Sequence, residues 1–358
     1  MDYFIYFSPL LLVIVALFLR MKVIYYLSIV YLILFAGLRG AGGDIHGYTL
    51  YYEASNALNH VINSGFVTDK STIKYSIEFF YSFINSLSKS ISGGLGLVFF
   101  ISALAFILTS YFASKNFNKK RPFLFFSFFV ITSLAPLGMH YVRQGLAVAF
   151  IALAISNCYS YKKRLLAIIF SVGSHLTTSV AGIMFIYMIS MRKRNITILI
   201  IIPIVGLLLG DVILNQITIL IQKIDFIIFN RYIVLFENNR GISIFDKILG
   251  ILAIVHFFYL SIIVRHTTKD ELMDRRFMAT ALLYFMFIVL SLQTDILSRN
   301  LILVYPFLLY FSYETLVINI KQKNVVLVAH LFLATLIWFR FIGDPATQEL
   351  FFPFKFFL

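Results

Sequence analysis

Long apolar runs, separated by short polar or basic turns, recur along the whole chain. The first covers about 3–19 and ends at Arg20-Met21-Lys22; the second runs from Val23 to about Leu38. A helix needs roughly 20 apolar residues to cross about 30 Å of hydrocarbon, so both runs predict transmembrane helices, the second a short one. Further spans are predicted at about 95–113, 122–138, 141–160, 196–210, 248–264, 278–293, 301–318 and 325–341. Residues 39–74 read as a polar, glycine-bearing loop. Residues 75–90 show helical spacing of apolar positions (Ile77, Phe80, Phe83, Ile84, Leu87), which predicts an interfacial helix. Residues 211–247 are read as an outer segment between spans, with Asn230-Arg231-Tyr232 and Glu237-Asn-Asn-Arg240.

One apolar stretch, 165–190, resists this scheme, because Lys162-Lys163-Arg164 and Arg192-Lys193-Arg194 bracket it on both sides. Basic clusters at both ends conflict with a simple crossing, and the stretch is too short for two full spans of about 20 residues each. A re-entrant hairpin with its apex at Gly173-Ser174-His175 satisfies both constraints; a single long tilted helix is the alternative. The fold class is therefore an all-α polytopic integral membrane protein. It has about 10–11 transmembrane helices, organised as one membrane domain over 1–358.

Composition agrees: 60% of residues are hydrophobic and only 13% charged, outside the range of soluble folds. The net charge of +14 invites a nucleic-acid reading, but the basic residues lie in short clusters between spans, as in proteins whose orientation is set by charge. With the spans above, 18 of the 30 basic and 4 of the 16 acidic residues fall on one side. That side is assigned to the cytoplasm, which puts both termini and the 39–74 loop on the periplasmic side. The N-terminus lacks the basic region of a cleavable signal, so the first run is read as a permanent span. The single cysteine, Cys158, excludes an internal disulfide.

The costliest placement in the chain is His140-Tyr141-Val142-Arg143-Gln144, at the mouth of the 141–160 span. A guanidinium and an amide there demand partners. On one continuous helix His140, Arg143, Gln144 and Ala147 share a face, suited to an oxygen-rich anionic ligand.

These residues resemble a known family, the EpsG-like, Wzy-type polysaccharide polymerases. The likeness rests on Gly-Leu-Arg39 followed by Asp44 and tyrosines, Tyr-Val-Arg143-Gln144-Gly-Leu-Ala, and Ser174-His175 ten residues beyond a Lys-Lys-Arg turn. Arg231-Tyr232, and Arg299-Asn300 before Tyr305-Pro306, complete it over about residues 35–310. The segment after His175 departs from the pattern, reading Leu-Thr-Thr where the family usually has Ser-Ala-Leu. The resemblance implies a glycosyltransferase-C-like helical protein of the bacterial inner membrane. It would join undecaprenyl-diphosphate-linked repeat units, for O-antigen, capsule or exopolysaccharide, at the outer face.

For that reaction the chain must stabilise a departing diphosphate and remove a proton from an acceptor hydroxyl. Guanidinium groups bind diphosphate oxygens bidentately and stay charged, so Arg39, Arg143, Arg231 and Arg299 are the candidate binders, with Gln144 and Tyr48 beside them. Arg143 is also a candidate catalytic group. His175, with an ordinary pKa near 6.5, is a candidate base and Asp44 its competitor. Plainer readings stand beside these. Arginines at helix ends anchor at interfaces, Asp44 can cap a helix, and Tyr48, Tyr51 and Tyr52 can form an interfacial belt. No cofactor is expected. Asp44-Ile-His46 offers only two ligands to a metal, and no phosphate-cradling Gly-Lys-Ser/Thr loop exists. A chain-length regulator is a candidate partner and nucleic acid is not. An O-antigen ligase and a transporter or flippase of lipid-linked sugars are the competing functions, although transporters tend to carry internal repeats and none is evident.

Overall fold

The computed structural model describes residues 2–40, 44–66, 78–157, 160–191, 271–293, 295–317 and 322–342, with isolated positions between 199 and 216; for 290–300 nothing is described beyond the backbone. Among these residues the extended regular elements are all helices, and the protein is an all-α polytopic membrane protein. The described chain divides into two compact units, Met1–Ile183 with Ala329–Leu358, and Met184–Val328.

The first unit opens with α1 (Asp2–Leu19) and α2 (Lys22–Gly37). The predicted loop 39–74 is not simply a loop: it contains α3 (Ile45–Ala54) and α4 (Leu58–Ser64). Its tyrosines and aliphatics supply enough apolar surface to dock short helices, a signal its glycines and charges masked. Next come α5 (Phe79–Ser90), α6 (Gly94–Phe117) and α7 (Pro122–Ser133). Pro122 opens α7, where its missing N–H costs nothing. The basic turn before it is an Asx turn, Asn118 Oδ1 accepting the backbone N–H groups of Lys120 and Arg121 at 3.1 and 3.0 Å. Helix α6, and α7 with its continuation to His140, are each long and apolar enough to cross a bilayer; α1, α2 and four other apolar helices are shorter.

Helix α7 is buried along its length and forms the centre of this unit, while α2 turns an apolar stripe outward. That stripe, Val23, Tyr26, Leu27, Val30 and Leu34, is exposed, and Ser28, Ile29, Leu32 and Ile33 on the other side are buried. A continuous exposed apolar stripe is a liability in water and the normal surface in lipid. Helix α5 is buried on most of its surface: Ser82, Asn85, Ser86 and Ser88 are buried together with Tyr81 and Ile84, and Phe83 is exposed, so this amphipathic segment puts polar as well as apolar side chains into protein.

After Ser133 the helix widens into a π segment, Leu134–His140. Pro136 has no N–H to give the regular ladder, and the backbone N–H of Tyr141 reaches back five residues to Pro136 O at 2.8 Å. Tyr141 then leaves helical conformation (φ −97°, ψ 63°) and α8 (Val142–Ser156) starts afresh. This corrects the expected shared face: His140 belongs to the segment before the break, and only Arg143, Gln144 and Ala147 lie on α8. Gly145 lets the first turn of α8 lie close against the π segment, because a Cβ there would collide with the carbonyl oxygen of Leu137.

The stretch 165–190 is not one continuous helix. Helix α9 (Tyr161–Ser174) and α10 (Leu176–Ser190) are separated at His175, which is extended at φ −163°, ψ 112°. The break falls at the expected apex. The last part of this unit belongs to α13 (Lys323–Ile342), whose Phe339 and Phe341 rings meet Phe7 and His140.

The second unit contains α11 (Glu271–Gln293) and α12 (Asp295–Val317), packed side by side. Asp274 and Arg276 are buried near the start of α11, with Arg276 5.9 Å from the Phe311 ring. The predicted spans 196–210 and 248–264 and the outer segment 211–247 lie outside the described residues, apart from the isolated positions already noted.

Candidate functional site

Five separate pieces of the first unit bring polar side chains together. Arg39 follows the end of α2, Tyr48 and Tyr51 lie three apart on one face of α3, and Glu78 and Tyr81 stand at the start of α5. Arg143 occupies the first turn of α8, and His175 sits between α9 and α10.

The centre is an ion pair that joins residues far apart in sequence: Arg143 Nη1 donates to Glu78 Oε2 at 2.6 Å. The Glu78 side chain is 6% exposed and that of Arg143 18%, so the pair has little water around it. Three tyrosine rings surround the guanidinium, Tyr48, Tyr51 and Tyr81 lying 5.9, 5.6 and 6.0 Å from it. Ring faces carry partial negative charge, so this wall favours a cation without neutralising it. The Tyr48 hydroxyl donates to His140 O at 3.3 Å and accepts the backbone N–H of Arg143, tying α3 to the junction of the π segment and α8. Tyr51 and Ser82 join their hydroxyls at 2.6 Å, tying α3 to α5.

Arg39 approaches the same tyrosines from another side. It is 1% exposed, lies 4.5 Å over the Phe99 ring, and donates through Nη1 to Ala36 O. Phe99 and Tyr48 are in edge contact at 5.7 Å, and Tyr48 and Tyr81 both feel the Arg39 charge. Arg39 and Arg143 are thus neighbours of a shared aromatic pair. Among the described residues no carboxylate pairs with Arg39, and its Nε and Nη2 have no hydrogen-bond partner.

Burial controls the titration of this group. It lowers the Arg39 guanidinium to about 10, with nearby tyrosines resisting, so Arg39 remains a cation at neutral pH. It pushes Tyr48 up to about 12 and raises Tyr51 and Tyr81, leaving all three neutral. It also raises the Glu78 carboxyl, against the pull of Arg143 and of a hydrogen bond from the Leu176 backbone N–H.

That last bond links the ion pair to the His175 break, since Leu176 is the first residue of α10. His175 caps the same helix: its extended backbone and a 3.3 Å bond from Thr178 N–H to Nδ1 are those of an N-cap. Thr178 and Thr177 hydroxyls lie 2.9 and 3.2 Å from Nδ1. A nitrogen that accepts a backbone N–H carries no proton, so the neutral ring holds its proton on Nε2.

Asp44 immediately precedes α3; its carbonyl accepts from Tyr48 N–H at 3.0 Å and its carboxylate folds over Gly47. It is a helix-start residue beside Tyr48. Gln144 is half-buried next to Arg143. The backbone of Arg299 lies in α12, in the second unit, and its side chain is not described. Arg231 lies outside the described residues. Glu78 was not among the residues expected from sequence. Its signal was present, because it is the one acid in 75–90 and Arg143 demanded a partner.

Apolar-out helices, a broken-helix apex and a tyrosine-walled cluster of two guanidinium groups and one carboxylate define this as a polytopic membrane protein. The EpsG family model matches residues 22–356, and the chain belongs to that family. Membership supports a role in polysaccharide polymerisation at a membrane. No curated protein and no solved structure matches the chain.

Proposed function

We propose that this protein is a membrane glycosyltransferase that joins undecaprenyl-diphosphate-linked repeat units at the outer face of the bacterial inner membrane. The observation that carries this reading is the pair of largely buried guanidinium groups sharing Tyr48 and Tyr81, with a carboxylate on Arg143 and, among the described residues, none on Arg39. Such a cluster retains positive charge inside low-dielectric surroundings, where it acts most strongly on a developing anion.

In this reading the donor sugar arrives already activated. Arg39 and Arg143 hold the diphosphate, and the acceptor hydroxyl attacks the anomeric carbon as the carbon–oxygen bond to the diphosphate breaks. His175, donating from Nε2, orients an oxygen of the substrate. The family resemblance makes Arg231 and Arg299 further proposed substrate-binding residues, and a chain-length regulator is a candidate partner. The surplus of basic residues in the turns at 115–121, 162–164 and 192–194 supports a cytoplasmic position for those turns.

The test uses purified full-length protein in lipid nanodiscs, supplied with lipid-linked repeat units isolated from cells lacking it, and no energy source. A ladder of lengthened, lipid-linked glycan is expected. Units left at their original length would point to transport, and transfer only to a foreign lipid or protein acceptor would point to a ligase.

A further inference from the structure

We propose that Glu78 accepts the proton of the acceptor hydroxyl, a role that rests on the polymerase reading above. Three observations bear on it. Glu78 is held against Arg143, so whatever that guanidinium binds lies within reach of the carboxylate. The N–H of Leu176, the first residue of α10 beside His175, pulls on the same carboxyl, so two parts of the cluster act on this side chain. A carboxylate has about four lone-pair positions on two oxygens, and the bond from Arg143 leaves capacity for a hydroxyl. A guanidinium fork presents five donors, enough to hold a carboxylate and a phosphate oxygen together.

The two other candidate bases suit the task less well. The Nδ1 atom of His175 is occupied as the acceptor for Thr178 N–H, and its Nε2 already holds the proton, so the ring enters the reaction as a donor. The carboxylate of Asp44 is folded back over Gly47 at the start of α3.

The step balances without another reagent. The acceptor O–H bond breaks and its proton goes to a Glu78 oxygen, while the acceptor oxygen bonds the anomeric carbon. The carbon–oxygen bond to the diphosphate breaks, and its electron pair leaves on the diphosphate. Negative charge gathers beside Glu78 as this happens, and like charge at short range makes a carboxylate more basic. Proton uptake is thereby strengthened at the moment it is needed. The titratable and charged groups around Glu78 are Arg143 of α8, Tyr51 of α3, and His175 next to Leu176; Tyr48 and Tyr81 face the same guanidinium.

The experiment compares wild type with Glu78→Gln and Glu78→Asp in the nanodisc assay. Glu78→Gln keeps the size and hydrogen bonding of the side chain but cannot take up a proton. It is expected to lower kcat by about 100-fold or more with KM for the lipid-linked unit little changed, and to abolish the fall in rate at acid pH. Glu78→Asp is expected to recover part of the rate and to shift that acid limb. A folded Glu78→Gln protein with wild-type kcat overturns the assignment, as does one that loses only affinity for inorganic pyrophosphate. If Glu78→Gln does not fold, the pH profile of Glu78→Asp decides: a displaced acid limb supports the role and a superimposable one overturns it. Polymerisation by wild type in the same assay separates failure of this assignment from failure of the polymerase reading.

Discussion

The hydroxyls of Ser171 and Ser179 meet at 2.6 Å across the break at His175. In an unbroken helix eight residues rise about 12 Å, so this contact exists only because the chain folds back between α9 and α10. Ser171 Oγ also lies 3.1 Å from Ala147 O on α8, and Ser179 Oγ 2.7 Å from His175 O. Each hydroxyl has one proton, so one of them bridges the break while the other serves a carbonyl. In a double-mutant cycle with Ser171→Ala and Ser179→Ala, a coupling of about 1 kcal/mol is expected from thermal unfolding in detergent. Strictly additive losses would show that the two hydroxyls do not hold the bend.

Arg39 is the clearest case of stability set against function. A buried guanidinium with no carboxylate partner among the described residues loses its hydration and recovers only part of it from Ala36 O and the Phe99 face. Replacing it with methionine keeps the packing volume and removes the desolvated charge. Arg39→Met is expected to unfold at the same temperature as wild type or higher, while losing polymer synthesis. A variant with a sharply lowered unfolding temperature would instead make Arg39 a structural residue.

The parts of this protein legible from sequence are those fixed by local pattern. The lengths of the apolar runs located α1, α2, α6, α7 and α8, and the conflict of charge at both ends of 165–190 located the break at His175. Arg143 stood out because charge at a helix mouth is expensive wherever it occurs, whereas Arg39 and Tyr48 were singled out through the family resemblance. What remained hidden depended on tertiary contact. The partner of Arg143 lies 65 residues earlier in the chain, and nothing in the sequence around Glu78 specifies that distance. The hydrogen-bonding state of His175 likewise depends on one backbone N–H three residues away. The face expected to unite His140 with Arg143 failed because Pro136 diverts the helix into a π segment before α8 begins.

The titration of Glu78 gives stability a defined slope with pH. Burial raises its carboxyl above the ordinary 4.5, so the folded protein holds that proton more tightly than the unfolded chain. The stabilisation is fully present below the unfolded pKa and is lost as pH rises through the higher folded value. Unfolding temperatures measured between about pH 4 and pH 8 for wild type and Glu78→Gln isolate this effect. The difference between them is expected to move in favour of wild type as pH falls. A move in the opposite direction would mean that Arg143 outweighs burial and holds the carboxyl low.

His175 has two separable jobs, and two substitutions distinguish them. As the cap of α10 it accepts the Thr178 N–H, a task that asparagine, among the best capping residues, performs equally well. As a donor to substrate it uses Nε2, which an asparagine in the capping position cannot reproduce at the same reach. His175→Ala loses both, so it is expected to cost about 1 kcal/mol of stability along with activity. His175→Asn is expected to retain wild-type stability and still lose activity. Measured side by side as unfolding temperature and polymer yield, a stable and fully active His175→Asn protein would reduce the histidine to its cap and leave the chemistry to the Arg143–Glu78 pair.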